Sequence, residues 1–158
     1  MAGNIEIISA ALPEHIEQVR VLFLEYARSL SFSLCFQSFD EELRTLPGDY
    51  SLPEGRLFIA HDSGEPAGCI ALHPFEGDIC EMKRLYVRPA FRGKGVGRLL
   101  VDRVIDEARQ IGYKRMRLDT IASSMQDAIA LYRRKGFREI APYRVNPIEG
   151  ALYMELVL

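Results

Sequence analysis

Apolar and polar positions alternate along residues 4–9, around Ile5 and Ile7, and that period of two predicts a short first strand. After Pro13, a residue suited to the first turn of a helix, the period changes. Ile16, Val19, Phe23, Tyr26 and Leu30 follow at steps of three and four, which is one face of a long helix. Residues 37–46 predict a second, weaker and acidic helix (Asp40, Glu41, Glu42) that stops at the breakers Pro47 and Gly48. Strand patterns then return. Residues 56–61 and 67–73 flank the turn composition Asp62-Ser63-Gly64-Glu65-Pro66 and predict a hairpin. A second turn, Glu76-Gly77-Asp78, leads into a strand at 79–87 that Pro89 closes. A glycine-rich loop at 92–97 opens a helix to about Ile111, with Leu100, Val101, Val104, Ala108 and Ile111 toward the core and Gly112 as its cap. Residues 114–121 form the next strand, with Met116 and Leu118 on one face. Ser123 and Ser124, followed by Gln126 and Asp127, make a capping-box pattern for a helix that carries Ala128, Ile129, Leu131 and Tyr132 and ends at Gly136. Two strands near 137–141 and 150–157 finish the chain. The order β-α-α-β-β-β-α-β-α-β-β predicts a mixed sheet with helices on both faces.

Composition narrows the function. The chain has 158 residues, the size of one domain spanning 1–158, long enough to bury a core without staples. The 20 basic and 22 acidic groups leave a net charge of −2, which argues against a general nucleic-acid or polybasic membrane binder. The longest strictly apolar run, Ala128 to Tyr132, is far too short to span a bilayer, and the N-terminus reads as no signal peptide. Cys35, Cys69 and Cys80 form no CxxC pair, and His15, His61 and His73 form no ligand cluster. The expectation is a reduced, cytoplasmic, metal-free domain.

The charge is unevenly spread. Residues 1–60 hold 4 basic and 9 acidic groups, whereas residues 61–158 hold 16 and 13. Within 83–98 stand Lys83, Arg84, Arg88, Arg92, Lys94 and Arg98, without an acid, and Gly93, Gly95 and Gly97 lie among them at the start of a helix. Glycines let backbone N–H groups approach an anion, and the helix N-terminus adds a favourable dipole, so the segment points to a phosphate or pyrophosphate site. A Walker A loop fails because Gly93-Lys94 is followed by Gly95, and GxGxxG fails in both registers because its last position is Arg98 or Leu100. The pattern R-x-x-G-x-G does match, as Arg92-Gly93-Lys94-Gly95-Val96-Gly97. With the strand end Leu85-Tyr86-Val87 before it, and Ala128-Ile129-x-Leu131-Tyr132-x-x-x-Gly136-Phe137 after it, residues 56–158 resemble the GNAT family of acetyl-CoA-dependent N-acetyltransferases.

That resemblance implies an α+β fold of three layers, α/β/α, around a mostly antiparallel sheet. It implies acetyl-CoA as co-substrate, with the pyrophosphate wrapped by Arg92, Gly93, Lys94, Gly95, Val96, Gly97 and Arg98. Leu85, Tyr86 and Val87 would hold the pantetheine arm through their main chain, Ala128 and Leu131 would flank it, and the Leu85 N–H would face the thioester oxygen. Tyr132 would donate to the departing thiolate, and Glu81 stands where some members carry a general base. Met125 departs from the Asn that many relatives carry there. Homodimers are common in the family. The acceptor would be a primary amine of a small molecule or peptide, attacked directly in a ternary complex. Freeing the lone pair of an ammonium with pKa about 10.4 costs about 4.6 kcal/mol at pH 7, so a proton acceptor is needed.

Each of these residues also has a plainer reading. Tyr132 fits a core aromatic at helical spacing, and Glu81 could simply pair with Lys83 or Arg84. Lys83 and Arg88 read as solvated charges, His73 as structural, and Cys80 as a small buried residue rather than a nucleophile. Phe32, Phe36, Phe39 and Tyr50 could line an acceptor pocket near Asp40, Glu41 and Glu42, or could be core beneath a solvated face. The segment Tyr143-x-x-Asn146-Pro147 resembles the ending of many small bacterial members. A non-catalytic acyl-CoA-binding or sensing module is the alternative function.

Overall fold

The computed structural model describes residues 3–30, 33–34, 38–122 and 125–158. Seven strands form one sheet: β1 (Ile5–Ser9), β2 (Arg56–Asp62), β3 (Glu65–Glu76), β4 (Ile79–Val87), β5 (Arg115–Ile121), β6 (Arg138–Ile140) and β7 (Ala151–Val157). Their spatial order is β1-β2-β3-β4-β5-β7-β6, and every neighbouring pair is antiparallel except β4 with β5. Four helices, α1 (Pro13–Ser29), α2 (Phe39–Thr45), α3 (Val96–Ile111) and α4 (Gln126–Arg134), cover the two faces.

Sheet parity sorts the core into two layers. Val96, Leu100, Val101, Val104 and Ala108 of α3 and Leu131 and Tyr132 of α4 pack with Phe58, Ile70, Leu72, Cys80, Met82 and Met116 on one face. Val19, Leu22 and Phe23 of α1, with Phe39 of α2, pack with Ile59, Cys69, Ala71 and Tyr86 on the other. Burying each large side chain contributes roughly 1.5–3 kcal/mol, so the 3.6-residue stripe of α3 anchors that helix to the sheet. The resulting fold is α+β, a mixed and mostly antiparallel sheet between two helical layers.

Three departures from the periodicity matter for the site. First, β3 runs through Pro74 to Glu76 rather than ending at 73. Its pairing with β2 stops at Leu72, so Pro74 costs no ladder bond on that side. Second, Arg84 adopts φ 63°, a left-handed conformation inside β4. Cys69 to Ala71 of β3 spans two steps while Lys83 to Tyr86 of β4 spans three, the signature of a β-bulge. The extra residue resets the alternation: Cys80 and Met82 face α3, and beyond the bulge Tyr86 joins the α1 layer. Third, a 3₁₀ turn at Gly48–Tyr50 follows α2 and buries Tyr50 against Phe23, with ring centroids 6.3 Å apart. The proposed Ser123–Ser124 cap lies outside the described residues, as do Phe32, Phe36 and Cys35.

Candidate functional site

Among the described residues the sheet's one parallel pair is short. Ile79, Cys80 and Glu81 pair with Arg115, Met116 and Arg117, and beyond that point β4 and β5 part. The gap is a cavity of about 900 Å³ whose walls include Met82–Val87 of β4, Leu118–Thr120 of β5 and one side of α4. Over Leu85–Val87, the β4 edge that turns away from β3 has no strand partner among the described residues, which leaves room for an extended ligand to pair with it. The loop before α3 closes one end of the cavity. Gly93 and Gly95 there have φ +80° and +82°, a conformation that L side chains rarely adopt. Of the twelve residues expected to hold the coenzyme, eleven line this cavity: Leu85, Tyr86, Val87, Arg92, Gly93, Gly95, Val96, Gly97, Arg98, Ala128 and Leu131. Lys94 turns its side chain away, to 3.4 Å from Asp62 and over the Phe91 ring. Tyr132 lines the same cavity, and burial pushes its phenol well above the ordinary value. Met125, at the head of α4, lines it too, with its Sδ 3.0 Å from Thr120 Oγ1.

The run of six cations does not act as one patch. Arg84 donates two 2.8 Å bonds to the Glu42 carboxylate, and Arg88 donates 2.9 and 2.7 Å bonds to Glu25. Both pairs tie β4 to the N-terminal helices, so part of the acidic N-terminal third neutralises these arginines. Only Arg92 and Arg98 bring cationic side chains from the 92–98 loop to the cavity. Arg92 also caps the end of β4 by donating to the Val87 carbonyl at 3.0 Å.

A second cavity, of about 390 Å³, lies on the α2 side of β4. Its walls include Glu42, Tyr50, His73, Glu81, Lys83 and Arg144. Tyr50, Glu41 and Glu42 of the expected acceptor residues are there, whereas Phe39 is buried in the core under the Arg84 guanidinium. Asp40 is exposed outside it. Lys83 lines both cavities, so it is a wall residue that the two share.

Glu81 is fully buried. His73, directly opposite on β3, places Nε2 2.8 Å from its Oε1. Tyr143 donates to Oε2 at 2.7 Å, and an Arg144 Nη2 lies 2.5 Å from the same oxygen. Burial opposes the charge, but His73, Lys83, Arg144 and Tyr143 outweigh it and hold the carboxyl down to about 2. Burial chiefly, with the Arg84 charge, lowers Lys83 to about 8. Burial raises the Cys80 thiol to about 12, which fits the inert role expected of it.

Sequence reasoning missed His73, Lys83, Tyr143 and Arg144. A hairpin centred on Gly77 puts His73 opposite Glu81, so that pair was readable from the turn. The signal for Tyr143 and Arg144 was the Tyr143-x-x-Asn146-Pro147 segment. Its loop is pinned by Tyr143 to Glu81, by Asn146 to Asp119 at 3.1 Å, and by the Tyr153 hydroxyl donating to the Arg144 carbonyl at 2.9 Å. Among the described residues no cluster of His, Cys, Asp and Glu could hold a metal ion, and no helix is long and apolar enough to cross a membrane.

Comparison with known proteins agrees with this geometry. An uncharacterized N-acetyltransferase of Schizosaccharomyces pombe is 41% identical over 98% of this chain and 95% of its own length. A GNAT-family acetyltransferase of Staphylococcus aureus shares the fold with a TM-score of 0.79 at 19% identity, over 96% of this chain and 98% of its own. The PaiA N-acetyltransferase of Thermoplasma acidophilum, solved in complex with coenzyme A, does so with a TM-score of 0.75 at 17% identity, over 98% and 99%. The family model described as the acetyltransferase (GNAT) family matches residues 17–137, and this chain belongs to that family.

Proposed function

We propose that the protein transfers an acetyl group from acetyl-CoA to a primary amine, with both substrates bound at once. The observation that carries this reading is that two cavities share Lys83 in their walls, a larger one lined by the glycine loop and a smaller one lined by charged and polar side chains. An acceptor in the smaller cavity and a thioester in the larger would then lie on either side of one residue, the proximity that direct attack in a ternary complex needs.

In this proposal the pyrophosphate sits on the backbone N–H groups of residues 92–98, aided by Arg92 and Arg98. The unpaired edge of Leu85–Val87 holds the pantetheine arm, and the Leu85 N–H donates to the thioester oxygen as it gains charge. The amine attacks the carbonyl carbon, the C–S bond breaks, and Tyr132 donates a hydrogen bond to the departing sulfur. A phenol raised by burial keeps its proton for that purpose. Glu81 takes a different part from a free base. A carboxylate held near 2 by three donors is a poor sink for a proton from an ammonium of pKa about 10.4. We assign it the role of anchoring Tyr143, Arg144 and His73 around the acceptor. Lys83, lowered to about 8 and standing in the wall of both cavities, is the better-matched proton acceptor.

The test is a panel of primary amines, from amino acids to polyamines, incubated with acetyl-CoA while free thiol is measured. Turnover of at least one amine supports the reading. Tight acetyl-CoA binding with no turnover on any amine replaces it with the non-catalytic sensing module.

A further inference from the structure

Arg144 belongs to no helix or strand, yet it is one of the most firmly held side chains of the smaller cavity. One Nη2 contacts Glu81, and the guanidinium lies over the Phe75 ring at 5.7 Å and the Tyr143 ring at 5.2 Å from the centroids. Its main chain is fixed by Tyr153, and the same loop is fastened by Asn146. A guanidinium has five N–H donors, and a contact with one carboxylate oxygen leaves most of them unused. The side chain remains 24% exposed, and the residue lines the cavity.

The inner carboxylates of that cavity, Glu42 and Glu81, are already engaged. Glu42 accepts both bonds of Arg84, and Glu81 accepts from His73 and Tyr143 beside its contact with Arg144. Glu41 is an exposed residue paired with Arg44, and Asp49 is exposed as well. The inner wall therefore offers oriented donors rather than free acids. A planar donor fork held against two rings and a buried acid is preorganised for a second planar anion.

We propose that Arg144 reads a carboxylate on the acceptor, so that the substrate class is amino acids: primary amines that carry a carboxylate, bound with the amine toward Lys83 and the coenzyme cavity. This rests on the acetyltransfer reading for its use, but the recognition itself is a binding property and is tested as one. The acids already paired in the wall disfavour the opposite class, polyamines without a carboxylate.

The experiment uses matched pairs that differ by the carboxylate alone: phenylalanine and phenethylamine, histidine and histamine, ornithine and putrescine. Each is titrated by calorimetry into the enzyme saturated with coenzyme A, and each is assayed separately for thiol release with acetyl-CoA. The acid is expected to bind more tightly than its decarboxylated partner by about tenfold to hundredfold in at least one pair. Arg144→Gln should collapse that ratio, and Arg144→Lys should restore part of it. Decarboxylated members binding as well as the acids in every pair, or no member binding at all, would overturn the proposal. So would an Arg144→Gln loss that is equal for both members, the mark of a purely structural arginine. Where Arg144→Gln fails to fold, the wild-type ratios decide alone. Carboxylate-selective binding without thiol release would instead keep the recognition and defeat the acetyltransfer reading.

Discussion

Tyr132 combines two demands in one side chain. Its ring packs on Phe137, 5.7 Å between centroids, inside the α3-side core, while the residue also forms part of the wall of the larger cavity. Tyr132→Phe keeps the packing and removes the hydroxyl. The expected result is a kcat lower by about 10²-fold with an acetyl-CoA Kd within a factor of a few of wild type, read by steady-state kinetics and calorimetry. Glu81 makes a pH prediction. Its carboxyl titrates near 4.5 in an unfolded chain and near 2 in the fold. The folded value is the lower, so the stabilisation is complete above pH 4.5 and is lost as pH falls toward 2, by about 3 kcal/mol. Glu81→Gln removes the titrating group. Urea denaturation at pH 7 and pH 3 should show a smaller loss of stability with acid for the variant than for wild type, and a lower stability at pH 7.

Between elements, the Arg84–Glu42 pair is the clearest joint. The bulge in β4 turns Arg84 toward α2, where its side chain is 2% exposed and Glu42 closes on it with two bonds. Removing one partner of such a pair leaves a buried charge uncompensated. Glu42→Gln is expected to destabilise the protein by about 3 kcal/mol in thermal or chemical unfolding, far more than the loss of an exposed pair such as Arg98–Asp102. Because Glu42 also lines the smaller cavity, the same variant should raise the acceptor KM, while acetyl-CoA affinity reports whether β4 has moved. A strict period of two along 79–87 would put Arg84 with Met82 on the α3 face; one residue at positive φ reverses that assignment.

Across the whole molecule, the charge asymmetry of the chain is mostly internal. Arg84, Arg88 and Lys94 pair with Glu42, Glu25 and Asp62, and of the loop's cations Arg92 and Arg98, the latter in an exposed pair with Asp102, line the larger cavity. Raising salt from 50 to 500 mM should therefore weaken acetyl-CoA binding by less than about tenfold, since exposed charges are screened and backbone N–H donors are not. A loss of a hundredfold would mean that the whole basic run serves the phosphates.

The local chain determined a great deal. Period-two and 3.6-residue patterns set the element order, because each strand or helix must bury one face. The glycine spacing of 92–97 marked the loop, because positive φ at Gly93 and Gly95 is a local property of the backbone. Even the His73–Glu81 pair was implied by a hairpin about Gly77. What local spacing could not decide was which charges meet. The bulge chose the face of Arg84, and contacts 42 and 63 residues apart in the chain tied Arg84 and Arg88 to Glu42 and Glu25. The environment of Glu81 waited on Tyr143, 62 residues away. A carboxylate's basicity follows from the donors and the burial around it, and both exist only once distant segments have packed.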